Sequence, residues 1–296
     1  MVRTRVTIGV ALALVLVGLL VADSHVPGGS ILYAVVGLIL VGSMLEFCML
    51  ARQGGDHPRT GKAVLLVACM VVLQYLAAVQ SWPSVTERGH DSVMLAFYPF
   101  VGCMATICLV LLAVDQLIWR HPERYLHDLS VTVLGFFYVW LLGAHVLAIR
   151  SRWGTAFVVV CLVAAKLSDV GAYFTGTFLG RHKLAPKVSP NKTVEGSLGG
   201  ILAAGAGALG AAALLVPGPL AVVFWLVFGV AVGVSAQVGD LVESSIKRSV
   251  GAKDSNQLVP TFGGVLDMVD SVLISAPIAL WLLELWGRFV LPPPAV

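Results

Sequence analysis

Charge is what this chain has least of. Only 12% of its 296 residues are Asp, Glu, Lys or Arg, against about 25% in a soluble globular domain. That shortage excludes an ordinary soluble fold. Cysteine is sparse too: Cys48, Cys69, Cys103, Cys108 and Cys161 all lie inside apolar runs. No Cys-x-x-Cys pair or Cys/His metal spacing occurs, so the thiols read as small packing groups. A basic stripe with interleaved aromatics is also missing, which removes nucleic acid as a partner. No repeat relates the two halves of the chain, which speaks against the repeat-built transporters.

What is abundant is apolar sequence, 58% of the residues. It falls in long blocks, each able to cross a hydrocarbon core of about 30 Å as a helix. Blocks of this length fit helices and not barrel strands. The reading is an all-α polytopic membrane protein with nine transmembrane helices, near 6–22, 31–51, 62–80, 93–118, 128–149, 154–179, 197–216, 219–246 and 267–290. The first block also resembles a cleavable signal peptide, with Arg3 and Arg5 before it and "LLVADS" after it.

Basic residues collect in alternate loops. Arg52, Arg59 and Lys62 share one loop, and Arg120 and Arg124 another. Arg181, Lys183, Lys187 and Lys192 follow, then Lys247, Arg248 and Lys253. By the positive-inside bias these loops and the N-terminus face the cytoplasm and the C-terminus lies outside. The expected location is a cytoplasmic (inner) membrane.

The chain changes character near residue 153. Residues 1–153 (helices one to five) carry two in-span acids, Glu46 and Asp115, which read as locally paired or snorkelling groups. Residues 154–296 (helices six to nine) hold the polar clusters. Lys166 and Asp169 are three apart, on one helix face. Gly171, Gly176 and Gly180 leave room for a second helix or a ligand. In "SPNKTVEG", Ser189 before Pro190 reads as an N-cap, which would place Lys192 and Thr193 in a first helical turn suited to an anion. Asp240, Glu243, Ser244 and Lys247 share a helical face, as do Asp267 and Asp270. Gly263 and Gly264 allow a tight re-entry and close approach to a ligand. Acids able to hold Mg²⁺, beside bases able to hold phosphates, point to phosphoryl or nucleotidyl transfer. The carboxylates alone would also suit ion transport.

Two long stretches carry a family likeness. "GDLVESSIKRSVGAKDSNQLVPTFGGVLDMVDS" and "DVGAYFTGTFLGRHKLAPKVSPNKTVEG" resemble the two characteristic blocks of phosphatidate cytidylyltransferases, also called CDP-diacylglycerol synthases. The resemblance implies a helical bundle with a polar cavity open to the cytoplasm. It implies the reaction of CTP with phosphatidic acid to give CDP-diacylglycerol and pyrophosphate, in phospholipid biosynthesis. It further implies Mg²⁺, held by Asp240, Asp267 and Asp270 with Glu243 beside them. Asp240 and Asp267, with Lys247, Arg248 and Lys253 as phosphate-gripping bases, are the implied catalytic set. Ser189, Lys192, Thr193 and Asp169, with Gly263 and Gly264, are the implied substrate-binding set. Asp254 follows Lys253 as the pattern requires. A second, monovalent cation and homodimerisation are left open.

Three positions depart from the family pattern. Phe262 stands where His is usual, Met268 where Arg is usual and Val194 where Trp is common. Two cations are thereby lost from the implied site. The readings that remain beside a cytidylyltransferase are a CTP-using lipid kinase or a cytidylyltransferase for another lipid, a transporter and a non-catalytic scaffold.

Overall fold

A computed structural model of the chain describes residues 15, 18–26, 29–88, 91–119, 122–216, 218, 221–252, 255 and 263–290. Eight helical segments among them are long and apolar enough to cross a membrane. They match the second to ninth expected spans. The first, 6–22, falls mostly outside the described residues.

Two compact units divide the chain. The first comprises Met1–Arg152 with Val250–Met268, and the second Trp153–Ser249 with Val269–Val296. The first unit is built from α1 (Ser30–Gln53), α2 (Thr60–Arg88), α3 (Asp91–Trp119), α4 (Tyr125–Phe136) and α5 (Leu142–Trp153). A π-helical turn, Phe137–Leu141, joins α4 to α5 without a break, so Tyr125–Trp153 forms a single span. The α1 helix packs against α2 and α4. Leu40, Met44, Phe47, Phe136 and Trp140 fill the space between them, with Phe136 stacked on Trp140 at 5.2 Å.

The second unit contains α6 (Thr155–Leu179), a hairpin of β1 (Lys183–Ala185) and β2 (Ser189–Thr193), α7 (Val194–Leu215) and α8 (Val222–Ser249). Most of α9 (Val265–Val290) belongs here as well. The α6 and α7 helices make the most extensive pairing. Small residues explain it: a side chain at Gly171 would strike Ala203 and the backbone of Gly199 and Gly200. Helices in lipid gain by close van der Waals packing, which small residues permit. The room left by Gly171 is therefore taken by a neighbouring helix. Leu202, Leu214, Phe178 and Val223 are exposed, as lipid-facing side chains are.

The hairpin corrects the helix start expected at Ser189. Proline disfavours helical backbone at the residue before it, and Ser189 stays extended, opposite Ala185. Pro190 lacks an N–H and is tolerated in a strand with a free edge. The true N-cap of α7 is Thr193, at φ −123° and ψ 154°, whose hydroxyl accepts the Gly196 N–H at 3.1 Å. Lys192 thus lies in β2, ahead of the helix.

Asp115 is paired, as expected, and Glu46 is held by partners distant in the chain. Asp115 is ion-paired to Arg59 at 2.8 Å and to Lys62. Glu46 is 1% exposed and hydrogen-bonded. A further buried pair joins Arg150 Nε to Asp23 Oδ2 at 2.5 Å, while Asp23 Oδ1 accepts the Leu32 N–H at 2.9 Å. Removing one partner of a buried ion pair strands the other, at about 3–5 kcal/mol. Arg150→Leu should therefore destabilise the protein by that amount in thermal unfolding in detergent. Adding Asp23→Asn, which removes the charge and keeps the oxygen facing Leu32, should recover most of the loss.

Candidate active site

In the second unit, the end of α6, the hairpin, the start of α7 and the middle of α8 enclose a cavity of about 500 Å³. Asp169, Tyr173, Lys192, Thr193, Gln237 and Asp240 are among its lining residues. Four residues expected from sequence to bind or catalyse (Asp169, Lys192, Thr193 and Asp240) thus meet in one space. Lys192 Nζ lies 2.7 Å from Asp240 Oδ2. The Ser244 hydroxyl donates to Asp240 Oδ1 at 3.3 Å. A cation and an anion therefore face the cavity as a pair.

The acids form a charge cluster. Asp169 and Asp270 each feel the charge of Asp240, and Lys166 is the cation that offsets them. The expected Lys166–Asp169 pair is present at 3.5 Å. It is bridged by Ser271, whose hydroxyl lies 2.9 Å from Lys166 Nζ and donates to Asp169 Oδ2 at 3.3 Å. Asp270 is buried and accepts the Ser271 N–H at 2.6 Å. Gly239, the residue before Asp240, lies against the backbone of Asp270, so α8 and α9 touch at the acids. Among the described residues, no three His, Cys, Asp or Glu side chains converge as a metal-binding group.

Other expected residues sit differently. Glu243 and Lys247 are both buried and pair with each other at 2.5 Å, one helical turn apart. Arg248 donates to the Val188 carbonyl at 3.3 Å, tying the end of α8 to the hairpin turn. Ser189 is in β2 and is not among the cavity-lining residues. Lys253, Asp254 and Phe262 lie outside the described residues.

Asp267, with Gly263 and Gly264, belongs to the first unit. Its carboxylate accepts the N–H of Ser255 at 3.1 Å and of Gly264 at 2.8 Å. Gly263 adopts φ 87°, which side chains disfavour, and a side chain there would collide with Asp267. A side chain at Gly264 would strike Ser255 and Glu46. The close approach that the two glycines permit is thus made by carboxylates of this chain. Met268 follows, half-buried.

Sequence reasoning missed two groups. Gln237 Nε2 donates to Ser168 Oγ at 3.1 Å and to the Ser197 carbonyl at 3.0 Å, and Ser197 Oγ donates to Gln237 Oε1. A lone amide three residues before Asp240 in an apolar span was the signal. Glu195 accepts the N–H groups of Arg181 and His182 at 3.0 and 3.2 Å and meets His182 Nδ1 at 2.5 Å. Its signal was an acid in the first turn of a helix, where the dipole favours it.

The fold and the site define a polytopic helical membrane protein with a lysine and an aspartate paired in a polar cavity. Comparison with known proteins makes the class specific. The model of the cytidylyltransferase family matches residues 3–286, and the chain belongs to that family. It is 30% identical to a phosphatidate cytidylyltransferase of Synechocystis over 94% of both chains. A phosphatidate cytidylyltransferase of Bacillus subtilis is 36% identical over 54% of this chain and 60% of that protein. The Escherichia coli protein YnbB, described as uncharacterized, is 33% identical over 65% of this chain and 64% of its own length. The chain is thus a nucleotidyltransferase enzyme of the membrane.

Thr193 combines a cap with a place in the cavity, and two substitutions separate these roles. Thr193→Ala should lower stability by about 1 kcal/mol through loss of the cap. Thr193→Ser keeps the hydroxyl and should match the parent in both thermal unfolding and turnover.

Proposed function

We propose that this enzyme transfers the cytidylyl group of CTP to phosphatidic acid, giving CDP-diacylglycerol and pyrophosphate. The observation that carries the reading is the Lys192–Asp240 pair facing the cavity, beside the charge cluster of Asp169 and Asp270. Lys192 supplies a cation for a phosphate, and the carboxylates suit the metal that accompanies a nucleoside triphosphate.

In the reaction, an oxygen of the lipid phosphate attacks the α-phosphorus of CTP. A new P–O bond forms, the bond between the α-phosphorus and the bridging oxygen breaks, and pyrophosphate leaves with that electron pair. No general base is required, because a phosphate monoester is already ionised near neutral pH. The protein's contribution is positioning and neutralisation of charge. Lys192 would hold a phosphate, and the hairpin tied down by Glu195 and Arg248 would keep that lysine in place.

Mg²⁺ suits these donors. It binds through one or two carboxylates, with water and substrate phosphates completing its shell, so a converging triad is not needed. Asp240 and Asp270 would hold it; Asp267 and Glu243 are carried into a metal-binding role by the family resemblance alone. Bound there, the ion would offset negative charge on the phosphates.

We further place the hairpin and the end of α8 on the cytoplasmic side of the inner membrane, where CTP is found. The basic loops support this orientation.

The direct test is purified protein in mixed micelles with phosphatidic acid, labelled CTP and Mg²⁺. Label should enter the lipid phase as CDP-lipid, with pyrophosphate released, and EDTA should abolish it. A phosphorylated lipid with free CDP would instead identify a kinase. Asp240→Asn should lower kcat by about 100-fold or more while the protein still inserts and unfolds at its usual temperature. For orientation, a cysteine at Lys187, in a chain lacking the five native cysteines, should react with an impermeant thiol reagent in inside-out vesicles only.

A further inference from the structure

A buried carboxylate of the N-terminal half holds the start of the helix that carries the acidic motif. Glu46, late in α1, is 1% exposed. One oxygen accepts the Val265 N–H at 2.9 Å. The other accepts the Leu266 N–H at 2.8 Å and the Ser255 hydroxyl at 3.1 Å. Val265 and Leu266 open α9, so these are two of the N–H groups that a helix leaves unpaired at its start. The helix dipole favours a negative charge at that place.

Helix caps normally come from the residue just ahead of the first turn. Here that place is held by Gly263 and Gly264, which have no side chain to offer. The cap comes instead from a residue 219 positions earlier in the chain. Gly264 is what admits it, since any side chain there would strike Glu46 and Ser255. Asp267 grips the same two segments, through the N–H groups of Ser255 and Gly264.

We propose that Glu46 is a positioning residue for cytidylyl transfer. By fixing the first turn of α9 and Ser255 together, it sets the place of Asp267. Glu46 touches neither substrate nor metal in this role and acts through the backbone. The proposal rests on the nucleotidyl-transfer reading above. A glutamine at 46 has one acceptor oxygen and must aim its NH₂ at donors. An aspartate keeps the charge but falls one methylene short.

The test is kinetics and amide hydrogen exchange on full-length Glu46→Gln and Glu46→Asp. An interaction that serves transition-state geometry shows in kcat. Both variants should lose about tenfold or more in kcat, with KM for CTP within about twofold of the parent. Exchange in residues 263–270 should rise in both, while residues 155–179 keep the parent pattern. Exchange does not depend on turnover. If the parent makes no CDP-lipid yet exchange at 263–270 rises in the variants, the reaction assignment falls and the hold of Glu46 on α9 stands. Ser255→Ala removes one donor and leaves the charge. If Glu46→Gln fails to insert, Ser255→Ala should still lower kcat by about two- to fivefold and loosen 263–270. Parent kcat or parent exchange in Glu46→Gln overturns the proposal, as does the same result in Ser255→Ala where Glu46→Gln does not insert. A raised KM with unchanged kcat also overturns it, since Glu46 would then serve substrate binding.

Discussion

A charge that enters this protein's interior needs a partner inside the protein, because hydrocarbon offers none. The arrangement of charges follows from that constraint. Asp115 takes two cations, Asp23 takes Arg150, Glu243 takes Lys247, and Asp169 shares Lys166 and Ser271. Glu46 is met by two helix N–H groups and a hydroxyl. A helix start supplies the positive end of a dipole as well as hydrogen-bond donors, so it can stabilise a carboxylate as a cation does. These partnerships explain how a chain with so little charge can place some of it deep within its spans.

The same constraint decides what could be read from the sequence. Span positions were legible because apolar block length is a local property. Pairs at helical spacing were legible too: Lys166 with Asp169, and Glu243 near Lys247, follow from the geometry of one helix. Ser271 beside Lys166, Gln237 between Ser168 and Ser197, and Glu46 at Val265 were not legible. Each joins segments far apart in the chain, and no periodicity records such a contact. The helix start at Ser189 was misread for a related reason. Pairing with β1 keeps residues 189–193 extended, so the cap falls to Thr193, which the sequence had placed inside the first turn.

The Gly-Gly pair shows how one motif can have two physical causes. From sequence alone, adjacent glycines before an acidic helix suggest backbone laid against a ligand. In the fold they make room for carboxylates. Gly263 accommodates Asp267 through its positive φ, and Gly264 accommodates Glu46 through its missing side chain. The motif is thus coupled to α1, although nothing in α1 resembles a catalytic block.

The departures at Phe262 and Met268 remove two cations that the family pattern supplies, while Lys192, which matches that pattern, is retained and lines the cavity. Lys192 is brought to Asp240 by the hairpin, with the Arg248 bond to Val188 and the Glu195 bonds to residues 181–182 bracing its two ends. A lysine already paired with a carboxylate carries no net charge as a pair. Under the proposed chemistry, a polyphosphate accompanied by Mg²⁺ would match that pair with opposite signs, phosphate to Lys192 and metal to Asp240. Exchanging one set of ionic contacts for another costs less than leaving either charge without a partner. Such a site needs few fixed cations, because the substrate complex brings its own.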